Sequence, residues 1–350
     1  MTSAARGRDR RVYLGGHPVL FALLAATRGR AVRRLGGTVL VHGREEFVAA
    51  LTRVPLDRTA EGTTGGAAGR LAGSDALFDQ HGEEHRQARR DTASGLGAGG
   101  VERLRPVWTV LMKERLRALD GGGTVDLVPL AAEVAGATAA ALLNLDVEPL
   151  RLAEAARRAG ATAAQAHLPG WGRRRAGGQA VVAAERLVRL TGDGLAAMLA
   201  VAAVNTTVAA LPRAAAWVCD DDLWAYAGGP ELTDELLRVT APTPLLPRVA
   251  AADAEVGGCP VRAGDRLLLI ARHAADAHRR DPDPADPAPA RVAQLVFGVG
   301  THACPGARLA RAQLTDLLVA LAPHRPVVVR ARVDRHSALP AWRTLEVRGR

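Results

Sequence analysis

Aromatic residues make up only 3% of this 350-residue chain, so any core must be built largely from leucine, valine and alanine. The apolar share of 48% is enough for a sizeable one. Lysine is nearly absent. Lys113 is the only one, and the formal net charge of +10 is otherwise a matter of arginine. A nucleic-acid binder concentrates basic side chains on one element and interleaves aromatics among them. Here the arginines are spread along the chain, so no nucleic-acid partner is expected, and the Ala/Arg/Gly bias reads as that of a GC-rich genome. Cysteine is scarce too: Cys219, Cys259 and Cys304 form no Cys-x-x-Cys pair, which excludes zinc ribbons and disulfide scaffolds. The apolar run Val19–Ala26 falls well short of the ~20 residues that span a bilayer, and no signal-peptide pattern accompanies it. A cytoplasmic location without a membrane partner is the expectation.

What is present reads as mostly α with small β-sheets, an α+β class, in a single domain over residues 1–350 whose first 25 residues look irregular and basic. Thr38–His42 alternates like a short strand and Glu45–Thr52 follows as a helix. Glycine, threonine and serine over 61–74 predict a loop, and a helical face begins near Glu83. Helices are predicted over Val101–Leu119, Asp126–Leu143 and Pro149–Gly160. His167–Gly178 reads as a connection, and one or two long helices cover Gln179–Ala216, ending near Pro212 or Trp217. Residues 256–270 alternate as strands about a Gly-Gly turn. Asp281–Ala290 is a Pro-rich surface meander.

One stretch carries chemistry. In Phe297-Gly-Val-Gly-Thr-His-Ala-Cys-Pro-Gly306 an apolar run ends in two glycines, and a helix is predicted from Gly306 to Ala322 just beyond Cys304. Gly298 and Gly300 permit backbone conformations that a β-carbon obstructs, and Pro305 suits a first helical turn. The sulfur then faces unpaired N–H groups and the positive end of a helix dipole, which favour thiolate over thiol. A thiolate so held is a strong iron ligand.

The spacing Phe-x-x-Gly-x-x-x-Cys-x-Gly resembles the haem-ligand signature of the cytochrome P450 family in its bacterial form. The resemblance implies that fold, with haem b between a long distal helix and the proximal helix that follows the cysteine loop. It implies Cys304 as the metal ligand, and Phe297, His302 and Gly306 as parts of the cofactor site. Further motifs follow in family order. Glu235-Leu-Leu-Arg238, with Pro242 and Pro244 behind it, resembles the family's structural Glu-x-x-Arg helix. His85 and Arg89 sit at i and i+4 of one helix face; together with Arg248 and His302 they match positions that hold the haem propionates. Ala202-Ala-Val-Asn205-Thr206-Thr207 resembles the distal-helix motif, in which a catalytic acid–alcohol pair relays protons. Thr206 takes the alcohol's place, but Asn205 replaces the acid and Ala203 a glycine, so Thr207 or water is an alternative relay. The meander lacks the usual Phe and Arg, leaving Arg280 or Arg291 as substitutes.

The resemblance implies a haem-thiolate monooxygenase that inserts one oxygen atom of O2 into a small hydrophobic or carrier-tethered substrate in bacterial secondary metabolism. Electrons would come from a ferredoxin and ferredoxin reductase, docked on a basic patch of Arg86, Arg90, Arg308 and Arg311. Alternatives are a peroxide-dependent peroxygenase, an oxidative coupling enzyme, or a haem-binding scaffold with little catalysis.

Overall fold

Capping residues and prolines cut the sequence into helices, and among the described residues three small sheets gather the strands between them. Residues 3–57, 60, 61, 63, 95–167, 173–300 and 303–350 of the computed structural model are described. The N-terminus departs from expectation, because residues 4–27 are two helices, α1 (Ala4–Gly16) and α2 (Pro18–Thr27). The Ser3 hydroxyl caps α1 by accepting from the Arg6 amide at 3.1 Å. The arginines of this segment disguise a buried side made of Ala5, Val12, Tyr13, Phe21 and Leu24. Asp9 gives the stronger reason for order. Its carboxylate, 4% exposed, accepts from Arg213 Nε at 2.9 Å and Nη2 at 2.6 Å, and from Arg272 Nη2 at 2.9 Å. A buried charge persists only when paired in this way, so α1 is pinned to two distant segments.

The chain continues through β1 (Val32–Leu35), β2 (Thr38–Val41), α3 (Arg44–Thr52), β3 (Leu56–Asp57), α4 (Ala98–Leu116), β4 (Thr124–Asp126) and α5 (Leu127–Leu142). Then come α6 (Pro149–His167), α7 (Arg173–Thr191), α8 (Gly194–Asp221), α9 (Pro230–Thr240) and strands β5 (Leu246–Ala250), β6 (Ala254–Val256), β7 (Cys259–Val261) and β8 (Arg266–Leu269). Helix α10 (Ala307–Leu321) and strands β9 (Val327–Asp334) and β10 (Ala341–Arg348) close it. The predicted helices appear as α4, α5 and α6. Helix α6 runs on to His167, and α7 starts inside the stretch read as a connection. Helix α8 does not stop at Pro212. It ends at Asp222, whose left-handed φ of 52° breaks the ladder. The loop and helix predicted over 61–90 lie almost wholly outside the described residues.

Helix α8 is the axis of the bundle and contacts α5, α6, α7, α9 and α10. Its length and apolar composition match a membrane span, but half of its most apolar window is buried in the bundle. Small residues let its neighbours come close. A Cβ on Gly160 of α6 would lie 2.8 Å from the Asn205 amide nitrogen of α8. Beside the bundle lies a five-stranded sheet of order β1-β2-β8-β5-β3. Within it β2 and β8 run parallel, Thr38 opposite Arg266, and β5 pairs antiparallel with β8, Arg248 opposite Leu267. Val39, Val41, Leu267 and Leu269 bury one side of this sheet against Phe47 and Ala50. At its end, the Thr27 hydroxyl donates to the Leu23 carbonyl at 2.8 Å and so accepts from His42 Nε2 at 3.2 Å. That assignment leaves His42 Nδ1 as acceptor for His273 Nδ1, 2.7 Å away.

Candidate functional site

Cys304 stands where the sequence places it, at the mouth of α10. A 3-10 turn over Gln294–Phe297 ends at Gly298, with φ 74° and ψ 177°, and Gly300 follows with φ 75°. Side chains with a β-carbon are strained in this region. The loop then doubles back, and the Cys304 amide donates to the Phe297 carbonyl at 2.8 Å. Gly306 is the N-cap of α10, and a Cβ there would lie 3.8 Å from Cys304 Sγ. Cys304 is exposed, at the positive end of a 15-residue helix. Cys219, by contrast, is buried in α8, and burial pushes its thiol up to about 12. Only a poor thiolate is available there.

Helix α10 is anchored on three sides. Asp316 accepts from Trp108 Nε1 at 2.8 Å and from both ends of the Arg105 fork on α4. Gln313 donates to Thr138 of α5 at 2.9 Å, and Thr315 shares a 2.8 Å hydroxyl contact with Thr233 of α9. Arg311 completes the fixing. It donates to Asp234 of α9 at 2.6 Å and to the Gln294 amide oxygen at 3.3 Å, and its guanidinium lies 4.8 Å from the centre of the Phe297 ring. Cation–π contact and ion pair together clamp the cysteine loop onto α9. Sequence reasoning assigned Arg311 to a carrier-docking patch and missed this role, because Asp234 lies 77 residues away in sequence. Arg86 and Arg90 lie outside the described residues. Arg308 is exposed on a groove of about 730 Å³ between α4 and α10, which Leu96, Val101, Arg105 and Pro305 also line.

The Glu235–Arg238 pair is fully buried, at 1% and 0% side-chain exposure. Arg238 donates twice to Glu235 at 2.7 Å, and also to the carbonyls of Ala275, Arg280 and Asp281. Glu235 in turn accepts from the amides of Asp283 and Ala288 at 3.1 and 3.0 Å. Burial raises the Glu235 pKa, but the Arg238 bonds and charge and these two amides outweigh it and hold the carboxyl below its usual value. The pair therefore braces the meander that leads to the cysteine loop. Neither suggested substitute joins through its side chain: Arg280 turns to Asp286, and Arg291 is exposed.

On α8, the Thr206 hydroxyl donates to the Ala202 carbonyl at 2.8 Å. Asn205 faces α6. Its amide donates to the Ala156 carbonyl at 3.1 Å and to Val201 within α8 at 2.9 Å. Thr207 is half-buried beside them. Arg248 sits on β5, its Nη1 donating to the Pro247 carbonyl at 2.8 Å. His85, Arg89 and His302 lie outside the described residues. Among those described, no three His, Cys, Asp or Glu side chains converge as a metal-binding group. Among the described residues of the cysteine loop the thiol of Cys304 is the soft donor, which fits an iron whose remaining ligands come with a macrocycle.

Residues 231–322 match the family model described as cytochrome P450. Among curated relatives, nocardicin C N-oxygenase of Nocardia uniformis subsp. tsuyamanensis is 38% identical over 104 residues, covering 28% of this chain and 25% of that protein. Erythromycin C-12 hydroxylase of Saccharopolyspora erythraea is 40% identical over 87 residues, 23% of this chain and 22% of that one. The chain thus spans about a quarter of the length of the curated relatives it matches. Fold likeness extends much further. The open form of cytochrome P450 EryK from S. erythraea superposes with a TM-score of 0.74 at 20% identity over 95% of this chain and 96% of that one. P450BioI, solved with a fatty-acid-ligated acyl carrier protein, gives a TM-score of 0.75 at 18% identity over 96% and 100%.

Proposed function

We propose, from the premise that this chain belongs to the cytochrome P450 family by its fold and its residues 231–322, that it is a haem-thiolate monooxygenase. Its substrate would be a small hydrophobic or carrier-tethered molecule, its setting bacterial secondary metabolism and its location the cytoplasm. The observation that supports this most is the exposed Cys304 sulfur at the N-terminus of α10, on a loop clamped by Arg311. Haem b, bound through Cys304, would supply the iron at which dioxygen is activated. The chain's own residues then bind, orient and exclude water. Arg248, with His85, Arg89 and His302, is assigned to the two propionates, whose charge is costly to leave unpaired beside an apolar pocket. Thr206 Oγ1 holds a proton toward its own helix and can pass it outward. A ferredoxin with its reductase is the assigned electron source, and the groove beside Arg308 its docking face.

The test is spectroscopic. The haem-loaded, reduced protein under carbon monoxide should show the red-shifted Soret band of thiolate ligation, and Cys304→His should lose it. A wild-type protein without that band, or a variant that retains it, overturns the assignment. One observation favours a second reading. Asn205 stands where the relay acid belongs, and its amide protons go to the Ala156 and Val201 carbonyls, so no carboxyl recharges Thr206. A peroxygenase needs no such acid for dioxygen cleavage. Turnover with hydrogen peroxide that exceeds turnover with ferredoxin and reductant would select it.

A further inference from the structure

Helix α2 is ten residues long, carries no charged side chain, and turns an apolar stripe to solvent. Pro18, Val19, Ala22, Leu23 and Ala26 are all exposed, Val19 at 84% and Leu23 at 44%. These positions follow the i, i+3, i+4, i+7 rule, so they share one face. The opposite face is committed. Phe21 and Leu24 are buried with Tyr13, Leu40 and Ile270, and Leu245 and Leu268 pack on the same cluster. The stripe therefore cannot rotate inward. Arginine dominates the neighbouring sequence: residues 10–44 hold seven arginines and no Asp or Glu, with Asp9, Glu45 and Glu46 just outside that run. Arg34 and Arg44 are spent on Asp265 and Asp276. Arg10, Arg11, Arg28, Arg30 and Arg33 are exposed.

We infer that α2 and the arginines flanking it form a peripheral docking surface for an anionic lipid bilayer. An apolar surface beside segments rich in exposed arginine supplies the two terms that hold a peripheral element on a membrane, apolar burial and attraction to anionic headgroups. At about 15 Å long, α2 can lie along that interface but cannot cross the hydrocarbon core of ~30 Å. Charge complementarity requires an anionic partner. A bilayer meets both terms, because it needs only apolar depth and diffuse negative charge. This inference stands apart from the haem chemistry. It departs from the expectation of no membrane partner at one face alone.

The experiment is co-sedimentation of the full haem-loaded chain with vesicles of phosphatidylcholine alone or mixed with phosphatidylglycerol. Binding is expected to the mixed vesicles, weak on phosphatidylcholine alone, and falling as salt screens the arginines. Arg28→Gln/Arg30→Gln/Arg33→Gln should lower partitioning on the order of a hundredfold. Val19→Glu/Leu23→Glu should abolish it, with circular dichroism unchanged because both side chains are on the surface. Failure to bind anionic vesicles overturns the proposal, as does binding that survives the Val19/Leu23 change. Loss of self-association in that variant, without any vesicle binding, would assign the stripe to a second copy. Retention by an acidic carrier protein alone would assign it to that class; either result overturns the lipid assignment.

Discussion

Replacing Arg238 by alanine tests whether the Glu235–Arg238 pair is a structural node or a surface ornament. In the wild type the buried guanidinium serves Glu235 and three backbone carbonyls, that of Ala275 buried and those of Arg280 and Asp281 part-buried. Arg238→Ala leaves the Glu235 carboxylate buried with two amide donors, Asp283 and Ala288. Breaking a buried pair in this way costs about 3–5 kcal/mol. The carbonyls of Ala275, Arg280 and Asp281 each lose a donor, at about 1 kcal/mol or more apiece. That loss is of the same order as the whole ~5–15 kcal/mol that holds a typical domain together. Urea unfolding followed by circular dichroism measures it, and limited proteolysis of the 281–290 meander reports the local loosening. Glu235→Gln/Arg238→Met should cost less than Arg238→Ala alone, because it leaves no unpaired charge. A loss of no more than the ~1 kcal/mol of an exposed ion pair would refute the reasoning.

Three further outcomes are expected. Burial pushes His42 down to about 4 and His273 to about 2, so both fold as neutral rings whose unfolded forms titrate near 6.5. Their contribution is complete above pH 6.5 and falls by about 2 kcal/mol each as the pH drops to 5; flat stability over that window in urea titrations would contradict it. Gly160→Ala should destabilise by about 1–3 kcal/mol through its clash with Asn205. Combined with Asn205→Ala it should cost less than the sum, and strict additivity in thermal unfolding would show that the two do not touch. Arg311→Ala should release haem faster than wild type while Arg311→Lys, which keeps the charge beside Asp234, falls between; equal release rates for all three proteins would remove the clamp.

The parts of this protein that could be read in sequence are those whose logic is local. The cysteine loop needs two glycines, a sulfur and a helix start within ten residues, and all lie in order from Phe297 to Gly306. The Glu-x-x-Arg pair sits on one helical turn. Strands β2 and β8 are short apolar runs bounded by turn residues, although only β8 alternates and β2 is buried on both faces. What was not legible depends on partners far along the chain. Asp9 gives no sign that it will meet Arg213 and Arg272, 204 and 263 residues away, and without it α1 reads as a basic tail. Arg311 resembles any exposed arginine until Asp234 and Phe297 are beside it. Asn205 was visible as a missing acid, but its bond to Ala156 was not, because a backbone carbonyl on another helix leaves no trace in sequence.

The scarcity of aromatics explains why these long-range ties are so often arginine. A core of alanine, leucine and valine packs helices closely but leaves few large, rigid side chains to key one element to another. Among the largest fully buried side chains, Arg213 and Arg238 stand beside Trp108, Phe21 and Phe47. Each spans a gap with its stem and ends in a planar fork that fixes several acceptors at once. Arg213 and Arg272 converge on Asp9 to set α1 against α8, and Arg238 with Glu235 sets the meander against α9. Lysine could not take these places, since a point charge with three rotating donors cannot hold a carboxylate and several carbonyls in one geometry. The cost is dependence on completeness. An aliphatic core tolerates the loss of one methyl group, but a buried fork deprived of its carboxylate is left as an unpaired charge, so each such node fails as a unit.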